Sequence, residues 1–174
     1  SVIVREEGTA AYRCLNLKCT GRVFEQFRHF VSKGAMDIEG LGGKQIGSLI
    51  GNNLIKELPD VFDLDLDSLS QLERMGERSI TKLLQAIENS KERPLASVIF
   101  ALGISSVGSE TAEAIAKYFG DMDRFMFATE EELRVITGIG PNVSLAIVQF
   151  FAAQENREMV KRLASAGVNM VVGA

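Results

Sequence analysis

Four glycines, Gly42, Gly76, Gly108 and Gly140, recur at separations of 34, 32 and 32 residues, and two of them sit in a pattern suited to holding an anion. Ile38-Glu39-Gly40-Leu41-Gly42 and Ile136-Thr137-Gly138-Ile139-Gly140 both follow the order apolar-x-Gly-apolar-Gly. Glycine accepts positive φ and leaves the main chain bare, so a phosphate can come close enough to take hydrogen bonds from backbone N–H groups. If a helix starts at that point, its unpaired N–H groups and the positive end of its dipole favour the same anion. A second chemistry is suggested by Cys14 and Cys19, the two cysteines of the chain, in a C-x4-C spacing compatible with half of a tetrahedral zinc site. The single histidine, His29, lies ten residues beyond Cys19 with Phe27, Phe30 and Val31 around it, which suits packing or a surface contact better than ligation.

The elements that must position these residues repeat with them. Four residues before each glycine stand Ile38, Leu72, Ile104 and Ile136, and one residue before stand Leu41, Met75, Val107 and Ile139. Seven residues after come Leu49, Leu83, Ile115 and Ile147, followed by Ile50, Leu84, Ala116 and Val148. All sixteen positions are apolar, a regularity that points to tandem supersecondary units. Beyond each glycine the apolar spacing is helical, as in Ile80, Leu83, Leu84 and Ile87, or Ala112, Ile115, Ala116 and Phe119. A shorter helix precedes each glycine; in the last unit Thr129 with Glu132 forms a capping-box pattern, and Pro141 suits the first position of the helix that follows. Each unit is therefore predicted as helix, glycine turn, helix, and the fold as mainly α, with four tandem helix-hairpin-helix units. Leu58-Pro59-Asp60, Glu92-Arg93-Pro94 and Phe119-Gly120-Asp121 separate the units. A closing helix is expected over residues 156–166, ended by Gly167, with a strand over residues 168–172. Residues 1–23 stand apart as a small hairpin carrying the two cysteines.

The units differ where an anion would sit. Gly40 and Gly138 are matched by Arg74 and Ser106 in the middle two, and two residues after the anchor the chain holds Lys44, Arg78, Glu110 and Asn142. The first and fourth turns are the best cradles, through Gly40, Gly42, Gly43 and Lys44, and through Gly138, Gly140 and Asn142. The second, at Gly76, would be assisted by Arg78; the third, at Gly108, is weakest because Glu110 stands where a cation is wanted. The net charge of −4 is unusual for a protein that grips nucleic acid, but cradles built from main-chain N–H groups need little basic side-chain charge. The charge is also segregated: residues 13–44 carry six bases against three acids, and residues 57–73 carry six acids and no base. Arg22, Arg28 and Lys33 in the basic stretch are expected phosphate contacts. No membrane span or secretion signal is legible, and the clustered cysteines favour a reducing, cytoplasmic setting over a disulfide framework.

These motifs, in this order and spacing, resemble bacterial NAD-dependent DNA ligases. The resemblance is carried by the run from Tyr12 to Cys19, by the stretch from His29 through Gly42, by Leu72-Glu73-Arg74-Met75-Gly76, by Ala101-Leu102-Gly103-Ile104 with Val107-Gly108, and by Leu163 to Asn169. It implies a partial four-cysteine zinc finger over residues 1–23, with Cys14 and Cys19 as the second cysteine pair. It further implies a four-hairpin DNA-binding domain over 24–167 and a linker over 168–174 toward an absent BRCT module. In that family a lysine in a Lys-x-Asp-Gly motif is adenylated by NAD, AMP passes to a 5′-phosphate with magnesium, and the 3′-hydroxyl seals the nick. No Lys-x-Asp-Gly occurs in this sequence. The chain itself is thus expected to catalyse nothing and to hold nicked double-stranded DNA for catalytic domains in a parent chain serving replication and repair. It is expected to be a cytoplasmic, nucleoid-associated monomer with no membrane partner. Two alternatives stay open: a helix-hairpin-helix module of another repair or recombination protein, and a helical scaffold for protein contacts, for which the acidic stretch 57–73 offers footing.

Overall fold

The structure, a computed structural model, describes residues 20–72 and 75–172. Among them are α1 (Thr20–Phe30), α2 (Gly43–Gly51), a 3-10 segment (Leu58–Asp63), α3 (Leu66–Ser70), α4 (Glu77–Ser90), α5 (Leu95–Ala101), α6 (Ser109–Phe119), α7 (Met122–Met126), α8 (Glu130–Arg134), α9 (Pro141–Ala152) and α10 (Gln154–Ser165). The architecture is mainly helical, as the periodicity predicts.

Each anchor glycine is the residue that leads into a helix: Gly42 into α2, Gly76 into α4, Gly108 into α6 and Gly140 into α9. The apolar positions of the repeat explain why. Ile38, Leu72, Ile104 and Ile136 are all buried, as are Leu49, Leu83, Ile115 and Ile147. Three of the four residues immediately before the anchors, Leu41, Val107 and Ile139, are buried with them. The two helices of a unit thus close over one apolar strip, and the turn is fixed by burial on both sides of it. Paired packing of α1 with α2, α3 with α4, α5 with α6 and α8 with α9 follows the units.

The units are then joined into one core. Gly40 packs against Leu83 of α4, bringing the first turn onto the second unit. His29 on α1 lies 4.6 Å, ring to ring, from Phe100 on α5, with its Nε2 2.6 Å from the Phe100 carbonyl oxygen. This histidine serves packing between the first and third units. Phe119, Phe125 and Phe151 form a chain of aromatic contacts linking α6, α7 and α9.

Four sequence expectations are adjusted by the structure. Residues 20–23, assigned to the cysteine hairpin, are the first turn of α1; Cys14 and Cys19 lie outside the described residues. Residues 168–172 form no strand: among the described residues no neighbouring strand completes a ladder, and an isolated antiparallel bridge joins Val171 to Asp121. Met122 donates to the Met170 carbonyl and Val172 to that of Gly120, so the segment is pinned to the α6–α7 junction. Leu58-Pro59-Asp60 opens a 3-10 segment instead of a bare turn. The capping pattern at Thr129 is realised on one side: its hydroxyl accepts from the Glu132 N–H at 3.1 Å. Among the described residues no helix is long and apolar enough to cross a membrane.

Candidate nucleic-acid interface

The glycine turns share a backbone. Gly40 and Gly138, two residues before their anchors, have φ of +99° and +95°. Ser106, at the same place in the third unit, has φ of +69°. The third turn therefore keeps the left-handed residue without glycine, at a cost of about 1–2 kcal/mol. The equivalent Arg74 lies outside the described residues.

The anchors themselves are different. Gly42, Gly76, Gly108 and Gly140 have φ between −98° and −81° with extended ψ, a conformation open to any residue. A Cβ on Gly76, Gly108 or Gly140 would meet nothing within 4 Å, and on Gly42 only the Gln45 amide oxygen at 3.2 Å. Neither backbone strain nor internal crowding asks for glycine here. What a side chain would obstruct lies outside the fold, in the space in front of the helix.

That space is lined by unused donors. The first N–H groups to find a helical carbonyl are those of Ile46, Ile80, Ala112 and Ser144, which bond to the four anchors. The N–H groups ahead of them, on residues 43–45, 77–79, 109–111 and 142–143, have no acceptor among the described residues, and none of the four anchors supplies a side-chain cap. Helices α5 and α10 also start without a side-chain cap, but the three short helices do not. Asp65, Asp121 and Thr129 cap α3, α7 and α8 through their side chains, at 2.8, 2.7 and 3.1 Å. Uncapped donors and dipole ends of this kind attract anions.

The basic side chains expected around the turns are distributed unevenly. Lys44 and Arg78 are exposed in the first turns of α2 and α4, and Asn142 is exposed in that of α9. Arg28 is brought to the first turn from α1, its guanidinium 3.8 Å from a Cβ placed on Gly43. Arg22 is exposed on α1, six residues earlier and about 9 Å along the helix. Lys33 is exposed in the loop after α1, and its main-chain carbonyl accepts from Arg93. Glu110 occupies the first turn of α6 as the sequence predicts.

Two arginines that sequence reasoning passed over organise the framework. Arg93 donates through Nε to the Ala35 carbonyl at 2.9 Å and through Nη2 to that of Lys33 at 3.1 Å, holding the loop that leads to the first turn. Arg162 on α10 reaches Glu57, Asp60 and Asp63 at 3.4, 2.9 and 3.4 Å. Burial works against ionisation of Asp60, but the N–H groups of Glu57 and Lys56, together with Arg162, hold its carboxyl below the ordinary value of 3.8. Three of the acids that suggested a docking face are therefore engaged within the fold. Neither arginine is announced by a motif, because the partners of each lie far away along the chain.

Among the described residues no group of three or more His, Cys, Asp or Glu side chains is placed to hold a metal ion. The chain supplies two thiols, and His29 is engaged at Phe100, so a four-cysteine centre needs two thiolates that this sequence does not contain.

Comparison with known proteins agrees with the geometry. A family model described as a helix-hairpin-helix motif matches residues 97–160, which take in the third and fourth turns. A DNA ligase of Koribacter versatilis is 43% identical over 166 residues, covering 95% of this chain and 25% of that protein. DNA ligases of Acidobacterium capsulatum and Desulforamulus reducens are each 45% identical, over 168 and 169 residues, with 97% of this chain and 25% of theirs covered. The chain thus spans about a quarter of the length of the curated relatives it matches.

Proposed function

We propose that this chain, homologous along nearly its whole length to a helix-hairpin-helix quarter of bacterial DNA ligases, holds duplex DNA by its sugar–phosphate backbone while other domains of a ligase act on a nick. The observation that carries this reading is the set of four glycine-led helix starts, none with a side-chain cap, three of them with open space where a side chain would stand. Main-chain donors at Gly43, Lys44, Arg78, Asn142 and their neighbours take phosphate oxygens, with Lys44, Arg78 and Arg28 adding charge. Such contacts position a duplex without reading base edges, so binding is non-sequence-specific. In the parent reaction, nicotinamide-dependent adenylation, magnesium-assisted AMP transfer and sealing belong to residues outside this chain, which has no Lys-x-Asp-Gly. Zinc, in this reading, is held by Cys14 and Cys19 with a second thiolate pair, and the chain works as a cytoplasmic monomer in replication and repair. The scaffold alternative loses its main support because Glu57, Asp60 and Asp63 face Arg162.

The test is equilibrium binding of the chain to nicked duplex, intact duplex and single strand over a range of salt. Log affinity for both duplexes should fall linearly with log salt as counterions are released, without dependence on base sequence, and Gly42→Val with Gly140→Val should weaken it further. An absence of duplex binding at low salt, or binding indifferent to salt, would overturn the reading.

A further inference from the structure

The fourth turn has the glycine pattern of the first but lacks its charge. Its first helical turn contains neither an acid nor a base, and between Arg124 and Arg157 the sequence has one basic residue, Arg134. That residue ends α8, and the structure turns it toward α9. Its Nε lies 3.4 Å from the hydroxyl of Ser144, a residue with no exposed surface one turn into α9. The Ser144 hydroxyl in turn donates to the Pro141 carbonyl at 3.1 Å, so the guanidinium is referenced to the start of the helix. Its Nη2 meets the Glu130 carboxylate at 3.3 Å, and both side chains remain substantially open to solvent, at 49% and 40%. The first turn shows the same arrangement by other means: Arg28 arrives from the preceding helix, α1, beside Gly43.

We propose that Arg134 is the phosphate-binding cation of the fourth turn, held beside α9 by Ser144 and paired with Glu130 until a DNA phosphate displaces that carboxylate. The inference rests on the reading of the glycine turns as backbone cradles. An exposed pair four residues apart on a helix contributes a few tenths of a kcal/mol, so exchanging Glu130 for a phosphate oxygen meets little resistance. Arginine's planar fork suits a phosphate while Nε stays on Ser144. The arrangement also places a competing anion at the fourth turn, whose first helical turn carries no charge of its own.

The experiment titrates the chain and its variants with nicked duplex at several salt concentrations, with thermal unfolding recorded in parallel. Arg134→Ala should weaken binding about threefold to tenfold and make the log–log salt slope shallower by about 0.9, the signature of one lost phosphate contact. Arg134→Lys should keep the slope, and Glu130→Gln should tighten binding about twofold by removing the competitor. A merely structural role would lower the unfolding midpoint and leave the slope unchanged. Wild-type slope and affinity in Arg134→Ala, alongside weakened binding in Gly140→Val, would overturn this inference and spare the reading beneath it. No duplex binding by the wild-type chain would overturn both. If Arg134→Ala unfolds, Arg134→Lys decides: loss of slope in a folded, charged variant overturns the assignment.

Discussion

At the residue scale, two glycines two positions apart do different work. Gly138 is required by its backbone, with φ of +95°, whereas Gly140 has φ of −98° and faces open space. Gly138→Ala should therefore lower stability by about 1–2 kcal/mol in chemical denaturation, from strain at positive φ. Gly140→Ser should do the opposite on stability, adding a few tenths of a kcal/mol, because serine at an N-cap bonds the N–H groups that glycine leaves free. The same substitution should weaken duplex binding if the proposed cradle is right, since the hydroxyl occupies the donors assigned there to phosphate. A Gly140→Ser variant that is both more stable and equally tight in binding would count against the cradle. The sequence marked both glycines alike; their separate roles emerge only from their dihedral angles.

At the element scale, the short helices are held by caps and packing, since five residues are far too few for a helix to persist alone. Helix α8 depends on Thr129, whose hydroxyl takes the Glu132 N–H, and on acids at Glu130, Glu131 and Glu132 that favour its positive end. Thr129→Ala should cost about 1 kcal/mol, measurable as a lowered denaturation midpoint, and should loosen the platform that presents Arg134. Helix α7 is held instead by Phe125, fully buried and in ring contact with Phe119 and Phe151. Phe125→Ala should cost about 3–5 kcal/mol through the cavity it leaves, and a loss below about 1 kcal/mol would show that α7 is dispensable to the core. The repeat foretold the helices after the glycines well, because their apolar period spans about three turns. Helix α7 falls between repeats and had no such signal.

At the scale of the whole molecule, α10 is tied back to the 3-10 segment by Arg162, a contact spanning about a hundred residues of sequence. Asp60 ionises more readily in the folded protein than in the unfolded chain, so it contributes stability above its ordinary value of 3.8, and that contribution disappears as pH falls through the lower folded value. Asp60→Asn should therefore reduce the thermal midpoint at about pH 6, and the gap from wild type should narrow as pH drops below about 4. A gap that stays constant down to about pH 2 would remove Asp60 from the acid response. Because Arg162 and its partners are partly exposed, high salt should shrink the same gap.

The sequence by itself determined the helix-turn-helix repeat, the glycines that open α2, α4, α6 and α9, and the apolar residues that bury their flanks. Local periodicity and turn chemistry act over a dozen or so residues, and both are written in composition and spacing. It also carried the resemblance to ligases and the proposal of an anionic ligand, since bare main chain at a helix start suits an anion wherever the helix lies. Tertiary structure decided which side chains reach those turns. Arg28 and Arg134 come to them from preceding helices, and Arg93 and Arg162 hold distant segments together. It also pinned residues 168–172 to the α6–α7 junction in place of the expected strand. These outcomes depend on contacts between residues far apart in the chain, whose energies exist only once the units have packed.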